Sequence, residues 1–404
     1  MSVPKLRFKE FDGDWSESKL KDCIDSIDSG WSPQCESYPA DENEWAVLKT
    51  TSVDWDGFKA NFNKKLPSNL EARFEIEVKP NDILVTRAGP TERVGVVAVV
   101  PHNVRSKLMI SDKLIRLKAN NENNPEFLGI SLSSVKCQNQ LQSKTSGLAK
   151  SQTNISQKIL CDVSLMTPAK AEQTKIASFL SNVDEKISQL TQKQELLSQY
   201  KQGMMQKLFS QQIRFKADDG SAFGEWEEKE LKDVAEINPK AKKLPANFIY
   251  IDLESVEKGQ LLLQKNIELK DAPSRAQRLL TKGDVLFQMV RPYQQNNYYF
   301  NLNGEYVAST GYAQIRTKLN SKFIYYTLHE KTFLDEVMNR CTGTSYPAIN
   351  SSDLSSIEIF IPCLKEQIKI ANFLSAIDEK IEVVAQQIEQ AKTWKKGLLQ
   401  QMFV

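Results

Sequence analysis

Two clusters of polar side chains in each half of the chain have the residue types that read DNA base edges. Arginine and lysine donate hydrogen bonds to guanine, and asparagine and glutamine amides pair with adenine. In the first half, the candidate DNA-binding residues are Arg87, Arg93, Lys144, Lys150, Gln152 and Asn154. In the second half, they are Arg291, Tyr293, Gln294, Gln295, Asn296, Thr344, Ser345 and Tyr346. An ordinary polar turn explains any one of these residues taken alone, but we expect each cluster to contact a ligand.

Residues that could carry out catalysis are sparse. The two histidines, His102 and His329, lie in no known nucleophile motif, and the six cysteines form no CxxC pair. Glu77 and Lys79 form an ExK triplet of the kind found in nucleases, but no convincing aspartate precedes it. Phosphate-binding loops, GxGxxG turns and the Asn-Pro-Pro-Tyr methyltransferase motif are absent from the sequence. The sequence therefore predicts no catalytic residue and no metal site in this chain.

The composition indicates a folded protein of at least two domains. The chain has 404 residues, of which 40% are hydrophobic, and a formal net charge of +2. Because the charge is balanced, any contact with nucleic acid must come from local clusters. No apolar run approaches the roughly 20 residues of a membrane span, and the first ten residues lack a signal-peptide core, so we expect a cytoplasmic protein.

A long internal repeat organises the chain. The segment from Pro168 is repeated from Pro362, 194 positions later, and the identities include Glu172-Gln173 with Glu366-Gln367. Upstream the repeat is weaker: Asp82-Ile83-Leu84 resembles Asp284-Val285-Leu286, and Ile115-Arg116 resembles Ile315-Arg316. The chain thus reads as domain, helix, domain, helix. We place the first domain at 1–165, the first helical segment at 166–211, the second domain at 212–360 and the second helical segment at 361–404.

Each repeated segment carries a heptad pattern, which is typical of helices that pair. The predicted seam comprises Ile176, Leu180, Val183, Ile187, Leu190 and Leu197 in the first copy, and Ile370, Leu374, Ile377, Ile381, Val384 and Ile388 in the second. Each helix would have about 38 residues and a length of about 57 Å. We predict that the two helices form an antiparallel coiled coil; the alternative is that each packs only on its own domain. The Asp-Glu-Lys triplets at Asp184 and Asp378 are expected to be solvated.

Short strand-like runs alternate with helical patches in both domains, which favours an α+β class. The complete prediction is two similar α+β domains, joined and separated by two long helices, with a pseudo-twofold internal repeat. The two domains have diverged, while the two helices have stayed nearly identical. We therefore expect the two domains to differ in function and the two helices to share one.

This organisation resembles the specificity subunit of type I restriction-modification systems. The resemblance is carried by Trp15 to Asp22 with Ser29 to Pro33, by the turn from Thr342 to Pro347, by Pro362 to Leu374, and by Gly397 to Phe403. At its own turn the first copy departs from the family pattern, with Ser146 to Lys150 in place of a Gly-Thr type of turn.

The resemblance implies a non-catalytic DNA-binding subunit that serves defence against foreign DNA. Each domain would be a target recognition domain that reads one half of a split, asymmetric site in double-stranded DNA. The helices would set the spacer between the half-sites and dock two modification subunits, which bring S-adenosylmethionine and methylate adenine. Restriction subunits, which use ATP and Mg²⁺, would join the same complex.

Two other classes of function stay open on the sequence alone. A coiled-coil interaction scaffold without DNA recognition would show no salt-dependent binding to duplex DNA. A nuclease or methyltransferase whose motifs have drifted would cut or modify DNA without a partner subunit.

Overall fold

The computed structural model describes residues 4–145, 153–241 and 243–403. The chain divides into two compact units. Unit 1 contains the described residues up to Leu190 and those from Gln387 onward, and unit 2 contains Thr191–Gln386. Each long helix therefore contributes one part to each unit, whereas the sequence-based division lies at the helix ends.

The first part of the chain supplies thirteen strands and four helices among the described residues. The strands are β1 (Ser16–Lys19), β2 (Ile24–Ser29), β3 (Ala46–Leu48), β4 (Val53–Asp54), β5 (Gly57–Phe58), β6 (Asn63–Lys65), β7 (Ile83–Thr86), β8 (Ala88–Gly89), β9 (Val97–Val99), β10 (Leu108–Met109), β11 (Leu114–Ala119), β12 (Thr153–Asn154) and β13 (Ser164–Thr167). The helices are α1 (Pro125–Leu132), α2 (Val135–Gln142), α3 (Gln157–Cys161) and α4 (Lys170–Phe209).

The second part supplies twelve strands and five helices among the described residues. The strands are β14 (Glu227–Glu230), β15 (Ala235–Ile237), β16 (Asn247–Ile251), β17 (Val256–Glu257), β18 (Gln260–Leu261), β19 (Lys265–Glu268), β20 (Ala276–Leu279), β21 (Val285–Gln288), β22 (Tyr298–Tyr299), β23 (Tyr306–Ser309), β24 (Tyr312–Thr317) and β25 (Glu358–Ile361). The helices are α5 (Leu231–Val234), α6 (Ser321–Thr327), α7 (Lys331–Asn339), α8 (Ser351–Ser355) and α9 (Leu364–Met402).

A four-stranded antiparallel sheet lies at the centre of unit 1, in the order β2-β11-β7-β9. Successive side chains of a strand point to opposite faces of the sheet. Ile83 and Val85 of β7 accordingly join the core that contains Phe127 of α1, while Leu84 joins a second core with the β10-β3-β6 sheet. The strand is buried on both faces, and its first three residues are apolar.

Unit 2 is built in the same way around the antiparallel sheet β15-β24-β21-β22. Val285 and Phe287 of β21 face the core under the helices, and Leu286 faces a separate core. That second core belongs to the mixed sheet β19-β16-β23-β20, in which β16 and β23 are parallel. The predicted α+β class with two similar domains is confirmed.

The weak upstream repeats correspond to an ion pair in each central sheet. In unit 1 the Arg116 guanidinium lies 3.5 Å from the Asp82 carboxylate. In unit 2 the Arg316 guanidinium donates to both oxygens of Asp284, each at 2.8 Å. The carboxylate at the start of β7 or β21 is thus compensated by an arginine on the neighbouring strand, which a charge buried in a sheet requires.

Segments of the two long helices pack antiparallel within unit 1. Trp15, whose indole donates to Glu172 near the start of α4, packs on Phe127, and Phe127 stacks on Phe403 beyond the end of α9. Further along α4, the Asp184 carboxylate lies 2.5 Å from the Lys395 ammonium of α9.

Unit 2 repeats this arrangement with the roles of the helices exchanged. Phe209 at the end of α4 packs on Phe323, close to the start of α9, and Lys201 lies 2.6 Å from Asp378. The two ion pairs occupy equivalent positions of the repeat. The triplets are largely exposed, as predicted, and the aspartate of each also binds a lysine of the facing helix. All twelve predicted seam residues are buried or half-buried.

A buried glutamate fixes the start of each long helix. Glu366 is fully buried, and its carboxylate accepts hydrogen bonds from Nε and a terminal nitrogen of Arg214 at 3.1 and 2.8 Å. Glu172 is held in the same way by Arg7, at 2.7 Å for both bonds. Because an unpaired charge in a protein interior is strongly unfavourable, each arginine anchors the chain segment that precedes the first strand of its domain.

We predict that Arg214→Met lowers the free energy of unfolding of unit 2 by about 3 kcal/mol, because it leaves the Glu366 carboxylate buried and uncompensated. Hydrogen exchange of unit 2 backbone amides would measure the change. The matched control is Lys232→Met, which breaks the exposed ion pair with Glu230 and should cost less than about 1 kcal/mol. Equal effects of the two variants would contradict the anchoring role.

Candidate nucleic-acid interface

The two polar clusters predicted in the second half come together in one surface of unit 2. Val290 forms a β-bridge with Ala348, and the Arg291 backbone N–H donates to the Pro347 carbonyl at 2.7 Å. The Arg291 guanidinium lies 4.2 Å from the centre of the Tyr346 ring. We call residues 290–297 and 342–348 the unit 2 loop pair. Its exposed side chains include Tyr293, Gln294, Thr344, Ser345 and Tyr346, and Arg291, Gln295 and Asn296 are half-buried.

Unit 1 has a corresponding loop pair, formed by residues 87–93 and 153–155. Strand β8 pairs with β12, and the Ile155 N–H donates to the Arg87 carbonyl at 3.0 Å. In unit 2 the same bond joins the Ile349 N–H to the Met289 carbonyl at 3.1 Å. Arg87 is half-buried and Asn154 is exposed, and they lie on the paired segments. The structure therefore places Arg87 and Asn154 on neighbouring segments of one loop pair, with Asn154 opposite Ala88.

The other candidates of unit 1 differ in their surroundings. The Arg93 guanidinium donates to the Asp54 carboxylate at 2.6 Å and to the Val53 carbonyl at 2.7 Å, so it supports the β4–β5 hairpin. Lys59 and Arg93 together lower the pKa of Asp54 to about 2. Lys144 is exposed just beyond α2. Lys150 and Gln152 lie outside the described residues.

A network of buried amides supports the unit 2 loop pair. Gln288, at the end of β21, is buried, and its side-chain amide donates to the Gln294 side-chain oxygen at 2.9 Å. The Gln288 backbone N–H donates to the Asn297 side-chain oxygen at 2.8 Å. The Asn297 amide nitrogen lies 3.4 Å from Nε2 of His329. Arg291 and Gln295 both adopt left-handed backbone conformations, with φ of 54° and 52°, which these contacts stabilise.

Asn297 belongs to the predicted polar run, but the roles of Gln288 and His329 were not predicted. The density of asparagine and glutamine from Gln294 to Asn297 pointed to this loop, but nothing in the sequence links it to His329, which lies 32 positions beyond Asn297.

The environment of His329 keeps its imidazole neutral. Nδ1 lies 2.8 Å from the Tyr325 carbonyl, which can only accept, so Nδ1 carries the proton and Nε2 accepts from Asn297. Burial is the main cause that lowers the pKa of His329 to about 4; Lys201 also lowers this pKa, whereas the Tyr325 and Gln295 backbone groups and Asp378 act in the opposite direction.

The remaining chemistry-bearing groups have structural roles. The Glu77 carboxylate pairs with Lys79 and accepts from the Lys107 backbone N–H at 2.7 Å, which accounts for the ExK triplet. Within the described ranges, no three His, Cys, Asp or Glu side chains are arranged to hold a metal ion. None of the described helices combines the length and apolar character needed to cross a bilayer.

The pKa of His329 predicts that unit 2 loses stability as the pH falls from about 6.5 to about 4. In that range the unfolded chain binds a proton that the buried imidazole does not, so the free energy of unfolding should fall by up to about 3 kcal/mol. His329→Gln keeps an acceptor for Asn297 but cannot titrate. Hydrogen exchange of unit 2 amides should show the pH-dependent loss in the wild type and not in the variant. An identical pH dependence in both proteins would contradict the assignment of this loss to His329.

Comparison with known proteins places the two units in one family. A family model described as the type I restriction modification DNA specificity domain matches residues 13–199 and, a second time, residues 224–393. The specificity subunit of the type I restriction enzyme MjaVIII from Methanocaldococcus jannaschii is 25% identical over 417 residues, covering 97% of this chain and 94% of that subunit. The EcoEI specificity subunit from Escherichia coli is 38% identical over 178 residues, which cover 44% of this chain and 30% of that subunit.

The fold agrees with the sequence comparisons. The crystal structure of the S subunit of a type I restriction-modification system from M. genitalium aligns with a TM-score of 0.63 at 16% identity, covering 100% of this chain and 99% of that one. A chain from a study of complex assembly in the type I system aligns with a TM-score of 0.53 at 17% identity, covering 96% and 97%. With two copies of the specificity domain that together span most of its length, the chain belongs to the type I restriction-modification DNA specificity family.

Proposed function

We propose that this chain is the DNA specificity subunit of a type I restriction-modification complex, in which each unit reads one half of a bipartite, asymmetric site. The observation that carries the proposal is the loop pair. Each unit presents one, built on equivalent strands, but with different side chains. A common frame with different exposed residues suits two readers that recognise different half-sites.

The chemistry of the unit 2 loop pair suits base recognition. Arg291 is half-buried, and its guanidinium lies 4.2 Å from the centre of the Tyr346 ring. A guanidinium restrained in this way loses little conformational freedom when it binds a base edge. Scattered lysines and arginines would contact phosphates, which add affinity without sequence preference.

The long helices suit the role of a fixed spacer. α4 has 40 residues and α9 has 39, and each runs without a break from the end of its own domain into the other unit. In this proposal their length sets the number of unread base pairs between the half-sites.

The helices also offer two equivalent surfaces for the modification subunits. Tyr200 and Trp394 occupy matching positions of the repeat, and both side chains are about half exposed. Trp394 packs edge-on against Phe179 of unit 1, with 6.0 Å between ring centres. Exposed aromatic side chains at repeated positions fit two copies of one partner. S-adenosylmethionine, ATP and Mg²⁺ are proposed to bind the partner subunits.

We predict that Arg291→Ala weakens recognition of one half-site only, because the residue belongs to unit 2. The expected loss is about 1–3 kcal/mol, the range for one bidentate base contact. Binding to duplexes in which either half-site is replaced would measure it, with Gln294→Ala as a second variant of the same surface.

Arg275→Ala is the matched control, since it removes the same charge from an exposed position of unit 2 outside the loop pair. It should leave base preference unchanged. Equal loss at both half-sites in Arg291→Ala would contradict the placement of the reading surface.

A further inference from the structure

We propose that two amides of the unit 2 loop pair, those of Gln294 and Asn296, present their NH₂ groups to DNA, and that Gln294 therefore selects guanine rather than adenine. This inference rests on the proposed function, because it names the base that the reading surface recognises. It is carried by the hydrogen bonds that fix each amide.

The orientation of Gln288 follows from a backbone group that can only donate. The Asn296 backbone N–H lies 3.0 Å from the Gln288 side-chain oxygen. Since that N–H has no lone pair to offer, the atom facing it is the oxygen of Gln288. The Gln288 amide nitrogen consequently faces Gln294.

Gln288 in turn fixes Gln294. Its amide nitrogen donates to the Gln294 oxygen at 2.9 Å, so that oxygen is engaged inside the protein. The Gln294 NH₂ group is the end left for a ligand, and the side chain is exposed.

Asn296 is fixed in the same sense by a second backbone donor. The Lys258 N–H, in the turn between β17 and β18, donates to the Asn296 side-chain oxygen at 3.0 Å. Asn296 therefore also has its NH₂ group available, and the neighbouring Arg291 has no acceptor at all. Three adjacent side chains thus offer donors.

The inner end of the network holds Gln288 in place. The Gln288 backbone N–H donates to the Asn297 oxygen, and the Asn297 amide donates to the neutral imidazole of His329. Gln288, Asn297 and His329 are positioning residues, because they act on DNA only through the exposed amides.

The consequence for base choice follows from the groups on the major-groove edge. Guanine presents two acceptors, N7 and O6, whereas adenine presents one acceptor and the N6 amino donor. A glutamine with a free oxygen pairs with both groups of adenine. The Gln294 oxygen is held toward the buried Gln288 amide, so Gln294 presents its NH₂ group, whose donors match guanine and leave the adenine amino group unpaired.

The test is selection from a pool of randomised duplexes by the complete chain in complex with its modification subunits, at a fixed salt concentration. The wild type should select guanine at one position in the unit 2 half-site. Gln294→Glu replaces the donor by an acceptor while still accepting from Gln288. It should shift that position from guanine to cytosine by about tenfold or more, with the other half-site unchanged.

A second variant tests the positioning role without touching the surface. Gln288→Met removes the group that holds Gln294, so Gln294 can turn and pair with adenine, and the guanine preference over adenine should fall about tenfold. Gln277→Glu, the same charge change at an exposed position of β20, is the control and should leave every preference unchanged.

The outcomes separate the inference from the proposed function. If the wild type selects two half-sites but neither Gln294→Glu nor Gln288→Met changes a base preference, the inference is overturned and the proposed function stands. If Gln294→Glu abolishes selection altogether, the Gln288→Met result decides: a relaxed guanine preference supports the inference, and an unchanged one overturns it. A wild-type complex that selects no half-site overturns the proposed function itself.

Discussion

The rest of the structure depends on a buried carboxylate at the start of each long helix. Glu172 and Glu366 are buried, and each is compensated by an arginine that precedes the first strand of its domain, Arg7 or Arg214. The next residue in each copy, Gln173 or Gln367, accepts from the backbone N–H of the residue that caps a domain helix. One dipeptide thereby joins the long helix, the segment before the domain and the domain core. The near-identity of the helical repeats at these positions is explained by the fold of each unit, so only exposed repeated residues such as Tyr200 and Trp394 argue for a shared partner.

This constraint separates the contacts that both units must keep from the exposed side chains that can differ between them. The Glu-Gln dipeptide, the ion pair in each central sheet and the cross-helix aspartate–lysine pairs recur in both units. The loop pairs lie at the ends of β7 and β21, outside these contacts, so their exposed side chains can change without loss of the core. Family membership and this division of roles together explain why the two units share the same internal contacts but differ in the side chains of their loop pairs.

Much of the fold could be predicted because its signals are local in the sequence or repeat within it. The heptad seam follows from side-chain period, and the two polar clusters of unit 2 were found from residue type alone, although their contact through Arg291 and Tyr346 was not. Contacts between distant residues left no such signal. Arg93 looked like a free donor, but it binds Asp54 on another hairpin; the triplets at Asp184 and Asp378 are largely exposed, as predicted, but their aspartates also pair with lysines of the facing helix; and His329 gave no sign that it supports the unit 2 loop pair.

The most direct test of the central claim is a genome-wide map of N6-methyladenine in a host without adenine methylation of its own, expressing this chain with and without its modification subunit. The account predicts a new bipartite motif, with two half-sites and a constant spacer, that appears only when both proteins are present. A stable complex of the two proteins that produces no motif would contradict the account and favour a scaffold without DNA recognition.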